Sequence, residues 1–95
     1  MLEVTNDMEK TQQGTAVVYF TAAWCVPCRQ LKPQFAKAGT IDKDNNYYIV
    51  DVEQIDNTYL EKYSVKSVPQ MFVLSDGEIT KKIEGKTAEE ILEWK

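Results

Sequence analysis

The 95-residue sequence contains no histidine and only two cysteines, Cys25 and Cys28. A structural zinc site usually takes four cysteine or histidine ligands, so zinc would have to be shared between two chains. We therefore expect no metal site. Two cysteines three positions apart, with none elsewhere, favour a chemical role for the pair over a structural disulfide framework.

The sequence also lacks an excess of basic residues, since 11 Lys and Arg stand against 15 Asp and Glu, for a net charge of −4. Nucleic-acid binding depends on clustered Lys and Arg that displace counterions from phosphates, so we expect no nucleic-acid partner. No apolar run approaches the roughly 20 residues that span a bilayer. Residues 1–7 lack the basic and apolar pattern of a signal peptide. We expect a cytoplasmic protein with no membrane association.

The composition is typical of a folded chain, because 43% of the residues are hydrophobic and only three are proline and four glycine. The length is typical of one domain, and no repeat or linker interrupts it. We therefore expect a single domain covering residues 1–95.

Hydrophobic periodicity predicts alternating strands and helices. Runs rich in β-favouring residues predict strands at 2–4, 16–20, 47–52, 71–74 and 79–83, and Asp76-Gly77 predicts a tight hairpin turn between the last two. Helical spacing predicts helices over 6–13, after Cys28, over 56–63, and from Thr87, where Thr87 and Glu90 form a capping box. Pro33 is expected to kink the second helix. The order β-α-β-α-β-α-β-β-α predicts an α/β fold with a central mixed sheet flanked by helices.

The segment Cys25-Val26-Pro27-Cys28 lies between a predicted strand and a predicted helix. A helix N-terminus carries a partial positive charge, which favours the thiolate of Cys25. Cys28 follows one turn later with its Cβ roughly 5–6 Å away, which is close to disulfide geometry. So small a loop constrains the unfolded chain little, and the bond can be made and broken repeatedly. The pattern predicts a redox-active pair, and two inert buried cysteines remain the alternative.

The sequence resembles the thioredoxin family over essentially its whole length. The resemblance rests on residues 18–28 with their Trp24-Cys25-Val26-Pro27-Cys28 motif, on Pro33, on Val68-Pro69 before a hydrophobic strand, and on Gly85. It implies a thioredoxin fold in which Cys25 faces Pro69, with Pro69 in the cis form. It also implies that the Val68 backbone pairs with an extended substrate, inside an apolar docking patch made of Trp24, Val26, Pro27, Val68, Pro69 and Gly85. A core position for Trp24 is the alternative.

Three positions depart from the family's pattern. Tyr19 stands six residues before Cys25, where the family usually carries a buried aspartate, and Ile49 replaces the lysine that accompanies it. The third departure is Val26, where the motif most often has glycine. A tyrosine, with a pKa near 10, is a poor proton acceptor at neutral pH. We expect the loss of this base to slow deprotonation of Cys28 and release of the reduced substrate.

The resemblance implies a thiol–disulfide oxidoreductase that reduces protein disulfides, with Cys25 as the nucleophile and Cys28 as the resolving cysteine. Such a protein would serve cell redox homeostasis and electron transport as a monomer, with no bound cofactor, and a thioredoxin-reductase-type donor would regenerate it. A binding module on the same fold and a glutaredoxin-like or isomerase variant remain alternatives. The acidic residues of the middle segment are expected to form a solvated face, with the steering of a partner as the alternative: Asp51, Glu53, Asp56 and Glu61.

Overall fold

A computed structural model describes all 95 residues. Five strands form one mixed sheet: β1 (Leu2–Val4), β2 (Thr15–Thr21), β3 (Asn46–Asp51), β4 (Gln70–Ser75) and β5 (Glu78–Ile83). Their spatial order is β1-β3-β2-β4-β5. Strands β1 and β2 both pair parallel to β3, and β4 pairs antiparallel to β2 and β5. The predicted mixed sheet is confirmed.

Three α-helices flank the sheet: α1 (Val26–Ile41), α2 (Asn57–Lys62) and α3 (Ala88–Ile91). Two 3-10 helices, Met8–Thr11 and Leu92–Trp94, complete the order of elements. The prediction of a helix over residues 6–13 is wrong in type and length, because only a four-residue 3-10 turn forms there. Asp7 caps this turn by accepting a hydrogen bond from the Glu9 amide, and so short a segment suits 3-10 geometry.

The core lies on both faces of β2, whose residues 16–20 are at most 1% exposed. Because side chains alternate along a strand, Val17 and Tyr19 belong to one hydrophobic cluster and Val18 and Phe20 to the other. The first cluster includes Phe35 of α1, whose ring lies 5.2 Å from that of Tyr19. This packing fixes α1 across the sheet, with its N-terminus at the carboxyl end of β2.

Helix α1 begins where its sequence supplies a cap. The Cys25 sulfur accepts a hydrogen bond from the Cys28 amide at 3.2 Å, and Pro27 occupies the first turn, where no backbone donor is needed. Pro33 lies inside the helix, which continues without interruption to Ile41. A kink at Pro33 stays a prediction.

Two local signals form as predicted. Asp76 and Gly77 both have positive φ, 47° and 85°, as the tight turn between β4 and β5 requires. Thr87 and Glu90 form the capping box that starts α3. Gly85, just before that box, allows the chain to pass close to α3, because an added Cβ would lie 2.8 Å from the Glu90 Cβ.

Candidate active site

Cys25 and Cys28 form a disulfide at the N-terminus of α1, with their Cα atoms 5.3 Å apart. This separation lies in the ordinary range for disulfides, so the first turn of a helix holds the pair without rearrangement. Cys25 is the N-cap residue, and its sulfur already accepts the Cys28 amide. The same amide and the partial charge of the helix would stabilise a thiolate on Cys25 after reduction.

Both cysteines are 3% exposed, but they line a surface cavity of about 270 Å³. Thr21 and Asp51 border this cavity from the carboxyl ends of β2 and β3, where they are paired across the two strands. Arg29 and Lys32 of α1 border it as well. Of the residues predicted to form a solvated acidic face, Glu53, Asp56 and Glu61 are exposed, whereas Asp51 is half-buried and lines this cavity. The parallel pairing of β2 with β3 brings Thr21 and Asp51 to the same edge of the sheet, where the carboxyl ends of both strands lie.

Tyr19 lies beneath the disulfide, fully buried, at the position where the resemblance implies an aspartate. Its hydroxyl donates a hydrogen bond to the Cys28 carbonyl oxygen at 3.3 Å. Burial raises the pKa of Tyr19 above its usual value, so the phenol stays protonated at neutral pH. Ile49 is paired directly opposite Tyr19 and is itself 2% exposed. Neither residue brings a charge to the pair of cysteines.

The Val68–Pro69 peptide bond is cis. Pro69 shares a cavity of about 290 Å³ with Pro27 of the cysteine motif, and a second cavity of about 380 Å³ with Gly85. The fold thus brings Pro27, Pro69 and Gly85 together from three distant parts of the chain. No backbone hydrogen bond outside the helices and strands involves Val68, and its N–H and C=O are free to pair with another chain.

Trp24 and Val26 project from the surface beside the cysteines, with exposed fractions of 65% and 67%. The alternative that placed Trp24 in the core is therefore wrong. Trp24 lines a small cavity of about 80 Å³ together with Val68 and Lys66. The predicted docking residues accordingly surround the disulfide on several sides.

Sequence reasoning missed the charged residues around this site. Lys86 borders both cavities at Pro69, and Lys82 and Glu84 of the β5 end border one of them. No local pattern predicts that these residues approach the start of α1, because they lie more than 50 positions after the two cysteines in the sequence. In the sequence, the one indication that the end of β5 lies near the site was Gly85, which belongs to the family's pattern.

The structure offers no metal site and no membrane-spanning helix. No group of three or more histidine, cysteine, aspartate or glutamate side chains is arranged to hold a metal ion. None of the helices combines the length and apolar character needed to cross a membrane. The site can perform thiol–disulfide exchange. Its disulfide lies at a helix N-terminus, next to cavities that solvent can enter.

Comparison with known proteins agrees with this chemistry. The thioredoxin family model matches residues 3–94. Thioredoxin H3 of Arabidopsis thaliana is 34% identical over 91 residues, which cover 96% of this chain and 73% of that protein. Thioredoxin of Staphylococcus saprophyticus is 34% identical over 82 residues, covering 85% of this chain and 78% of that protein.

Solved structures give the same result. Thioredoxin of Fasciola hepatica, 26% identical, superposes with a TM-score of 0.73 over 92% of this chain and 83% of that chain. Thioredoxin of Malassezia sympodialis supports the fold alone, with a TM-score of 0.81 at 20% identity over 98% of this chain and 88% of that chain. With its Cys25–Cys28 disulfide at the start of α1, the chain belongs to the thioredoxin family and is a thiol–disulfide oxidoreductase.

Proposed function

We propose that this protein works mainly as a dithiol reductant of protein disulfides. The observation that carries the proposal is the placement of the Cys25–Cys28 disulfide at the N-cap of α1, beside Pro69 and the free backbone of Val68. The Val26-Pro27 pair between the cysteines favours the reducing direction, since it resembles the reducing members of the family. A cytoplasmic setting agrees with this direction, because thiol pools there keep such a pair reduced.

The reaction has two exchange steps. The Cys25 thiolate attacks one sulfur of the substrate disulfide, that bond breaks, and the first substrate thiolate leaves as a mixed disulfide forms. Cys28 then loses its proton and attacks the Cys25 sulfur, which releases the second substrate thiolate. Two electrons have passed to the substrate, and the protein holds the Cys25–Cys28 disulfide found in the structure. A donor of the thioredoxin-reductase type returns two electrons, which gives the protein its part in electron transport.

An extended segment of the substrate docks beside the cysteines. Val68 offers an unpaired N–H and C=O for β-type hydrogen bonds to such a segment. The exposed faces of Trp24 and Val26 and the cavities at Pro69 and Gly85 supply apolar area around it. Hydrogen bonds from Val68 would go to the substrate backbone and so would not by themselves select a sequence.

The proton of Cys28 leaves toward the cavity that both cysteines line. Tyr19 cannot take it, because its buried hydroxyl is protonated and donates to the Cys28 carbonyl. Asp51 is the one acidic side chain among the residues that line the cavity. We assign Asp51 the role of accepting this proton through solvent. The resolving step is therefore slower than with a base in direct contact.

Insulin-type disulfide reduction tests the proposed function. The protein is supplied with a thioredoxin-reductase donor or a small dithiol, and precipitation of the freed insulin chain is followed. We expect turnover in the wild type and none in Cys25→Ser, whereas Cys28→Ser accumulates the mixed disulfide. Full biological activity in the variant with both cysteines replaced by serine would instead identify a binding module.

A further inference from the structure

The charges of this acidic protein are unevenly distributed. Four cavities surround the disulfide, Trp24 and Pro69, and five basic residues line them: Arg29, Lys32, Lys66, Lys82 and Lys86. Only two acidic residues, Asp51 and Glu84, line the same cavities. The chain has 11 basic and 15 acidic residues in total, so six basic and 13 acidic residues lie elsewhere. The face that carries the cysteines is basic, and the rest of the surface is strongly acidic.

Most of these basic side chains have no partner within the protein. The three ion pairs of the structure are Lys10–Glu3, Lys82–Glu84 and Lys95–Asp42. Within the basic face, only Lys82 is therefore paired, and its Nζ lies 3.8 Å from the Glu84 carboxylate. The side chains of Arg29, Lys32, Lys66 and Lys86 form neither ion pairs nor hydrogen bonds, which leaves their charge available to a partner.

Lys86 has the most informative position of the four. It lines both cavities that meet at Pro69, one shared with Pro27 and the other with Gly85. Its backbone is held in place, because the Lys86 amide donates to Glu90 Oε1 at 3.2 Å. The same Glu90 oxygen accepts the amide and hydroxyl of Thr87, so its carboxylate serves the start of α3. The ammonium of Lys86 is thus left beside the surface on which a substrate segment passes Pro69.

We propose that this basic face selects disulfide substrates that carry Asp or Glu next to the reacting cysteine, and that Lys86 contributes most to the selection. The inference rests on the proposed reductase function and specifies its substrate class. Complementary charge at the rim of an interface accelerates encounter, and like charge rejects the wrong partner. The acidic remainder of the surface would repel such a substrate elsewhere and direct it to the cysteine face.

Three matched peptides test the proposal. Each contains one disulfide in the same backbone and carries Glu, Gln or Lys on both sides of the reacting cysteine. Reduction is followed at physiological ionic strength as kcat/KM with a small dithiol as donor. We expect the Glu peptide to react about threefold to tenfold faster than the Gln peptide, and the Lys peptide to react most slowly. The differences should narrow at high salt, because added ions screen exposed charges.

Lys86→Glu and a matched control identify the residue responsible. The control is Lys43→Glu, the same change of charge just beyond the far end of α1, a 16-residue helix and so about 24 Å long. That distance is well beyond the screening length of about 8 Å at physiological salt. Lys86→Glu should remove most of the preference for the Glu peptide over the Lys peptide, Lys86→Gln should weaken it, and Lys43→Glu should preserve it. The rate with the Gln peptide checks that each variant is folded and active.

The possible results distinguish the reductase function from the substrate selectivity and from the role of Lys86 in it. Equal rates for the three peptides in the wild type would overturn the selectivity and leave the reductase function intact. A preference that survives Lys86→Glu, or that Lys43→Glu removes equally, would overturn the assignment to Lys86. Failure to reduce any peptide would overturn the proposed function and the inference with it.

Discussion

The Tyr19 hydroxyl donates a hydrogen bond to the carbonyl oxygen of Cys28, 3.3 Å away, in the buried layer directly beneath the disulfide. This contact supports the backbone of the resolving cysteine but offers its thiol no proton acceptor. Burial raises the Tyr19 pKa further above neutrality, so a change of pH within the physiological range does not alter the contact. Tyr19 thus supports the backbone of Cys28, but it leaves the second exchange step without a nearby base for the Cys28 thiol.

Restoring a carboxylate at position 19 should speed that step. In Tyr19→Asp, we expect release of the reduced substrate in a single turnover to become at least about tenfold faster near neutral pH, because the new base accepts the Cys28 proton. The variant should also lose about 2 kcal/mol or more of unfolding free energy, since no lysine at Ile49 compensates the buried charge. Tyr19→Phe is the control, and it should keep the slow release. Unchanged or slower release in Tyr19→Asp would contradict the role given to this position.

Removing the carboxylate of the cavity should slow the same step. In Asp51→Asn, we expect slower release of the reduced substrate and little change in the first attack by Cys25, because only Cys28 must still lose a proton. Rapid-mixing measurements of the two steps as a function of pH separate these effects. Glu53→Gln removes a nearby exposed charge outside the cavity and serves as the control. Equal slowing of both steps, or of both variants, would contradict a proton-accepting role for Asp51.

Asp42 makes stability depend on pH. Burial alone would raise the pKa of this carboxyl, but hydrogen bonds from Tyr47, Asn45 and Lys95 outweigh it and hold the pKa at about 2. Because the folded-state pKa is depressed, the carboxylate stabilises the protein above pH 4, and this contribution is lost as pH falls from about 4 to about 2. It amounts to about 2 kcal/mol. Denaturation curves of the wild type and Asp42→Asn should differ at pH 7 and converge near pH 2.

The same comparison with Asp44→Asn checks that the side-chain hydrogen bonds of Asp42 are the cause. Asp44 is exposed, whereas the Asp42 side chain is fully buried and accepts the Tyr47 hydroxyl at 2.7 Å. Asp44→Asn should therefore match the wild type in stability at pH 7. A stability loss at pH 7 as large as that of Asp42→Asn would contradict the argument.

Gly85→Ala should affect both stability and substrate binding. The added Cβ would lie 2.9 Å from the Glu90 carbonyl carbon and the Ile91 nitrogen, which are backbone atoms that cannot move alone. We expect a loss of about 1–3 kcal/mol in denaturant unfolding and a raised KM for disulfide substrates, because Gly85 borders the cavity at Pro69. Gly14→Ala has no atom within 4 Å of its Cβ. It should lose stability through its positive φ alone and keep the KM.

The site divides into residues that local sequence signals reveal and residues that only the fold assembles. The two cysteines were identifiable because a strand, a helix start and a two-residue spacing occur in one short segment. Asp51 was not, since its approach to the disulfide depends on the parallel pairing of Thr21 with Asp51 across β2 and β3. Lys86 was not either, because it reaches Pro69 only after β5 and α3 have packed.

The sequence by itself determined the order of the five strands and the three α-helices, the turn at Asp76-Gly77, the capping box of Thr87 with Glu90, and the redox pair at the start of α1. These features depend on interactions between residues at most a few positions apart, which leave a readable local pattern. The tertiary structure decided the rest: the cavity beside the cysteines, the exposure of Trp24, and the basic face around Pro69. Their members are brought together by strand register and helix packing, which join distant parts of the chain and leave no periodic trace in it.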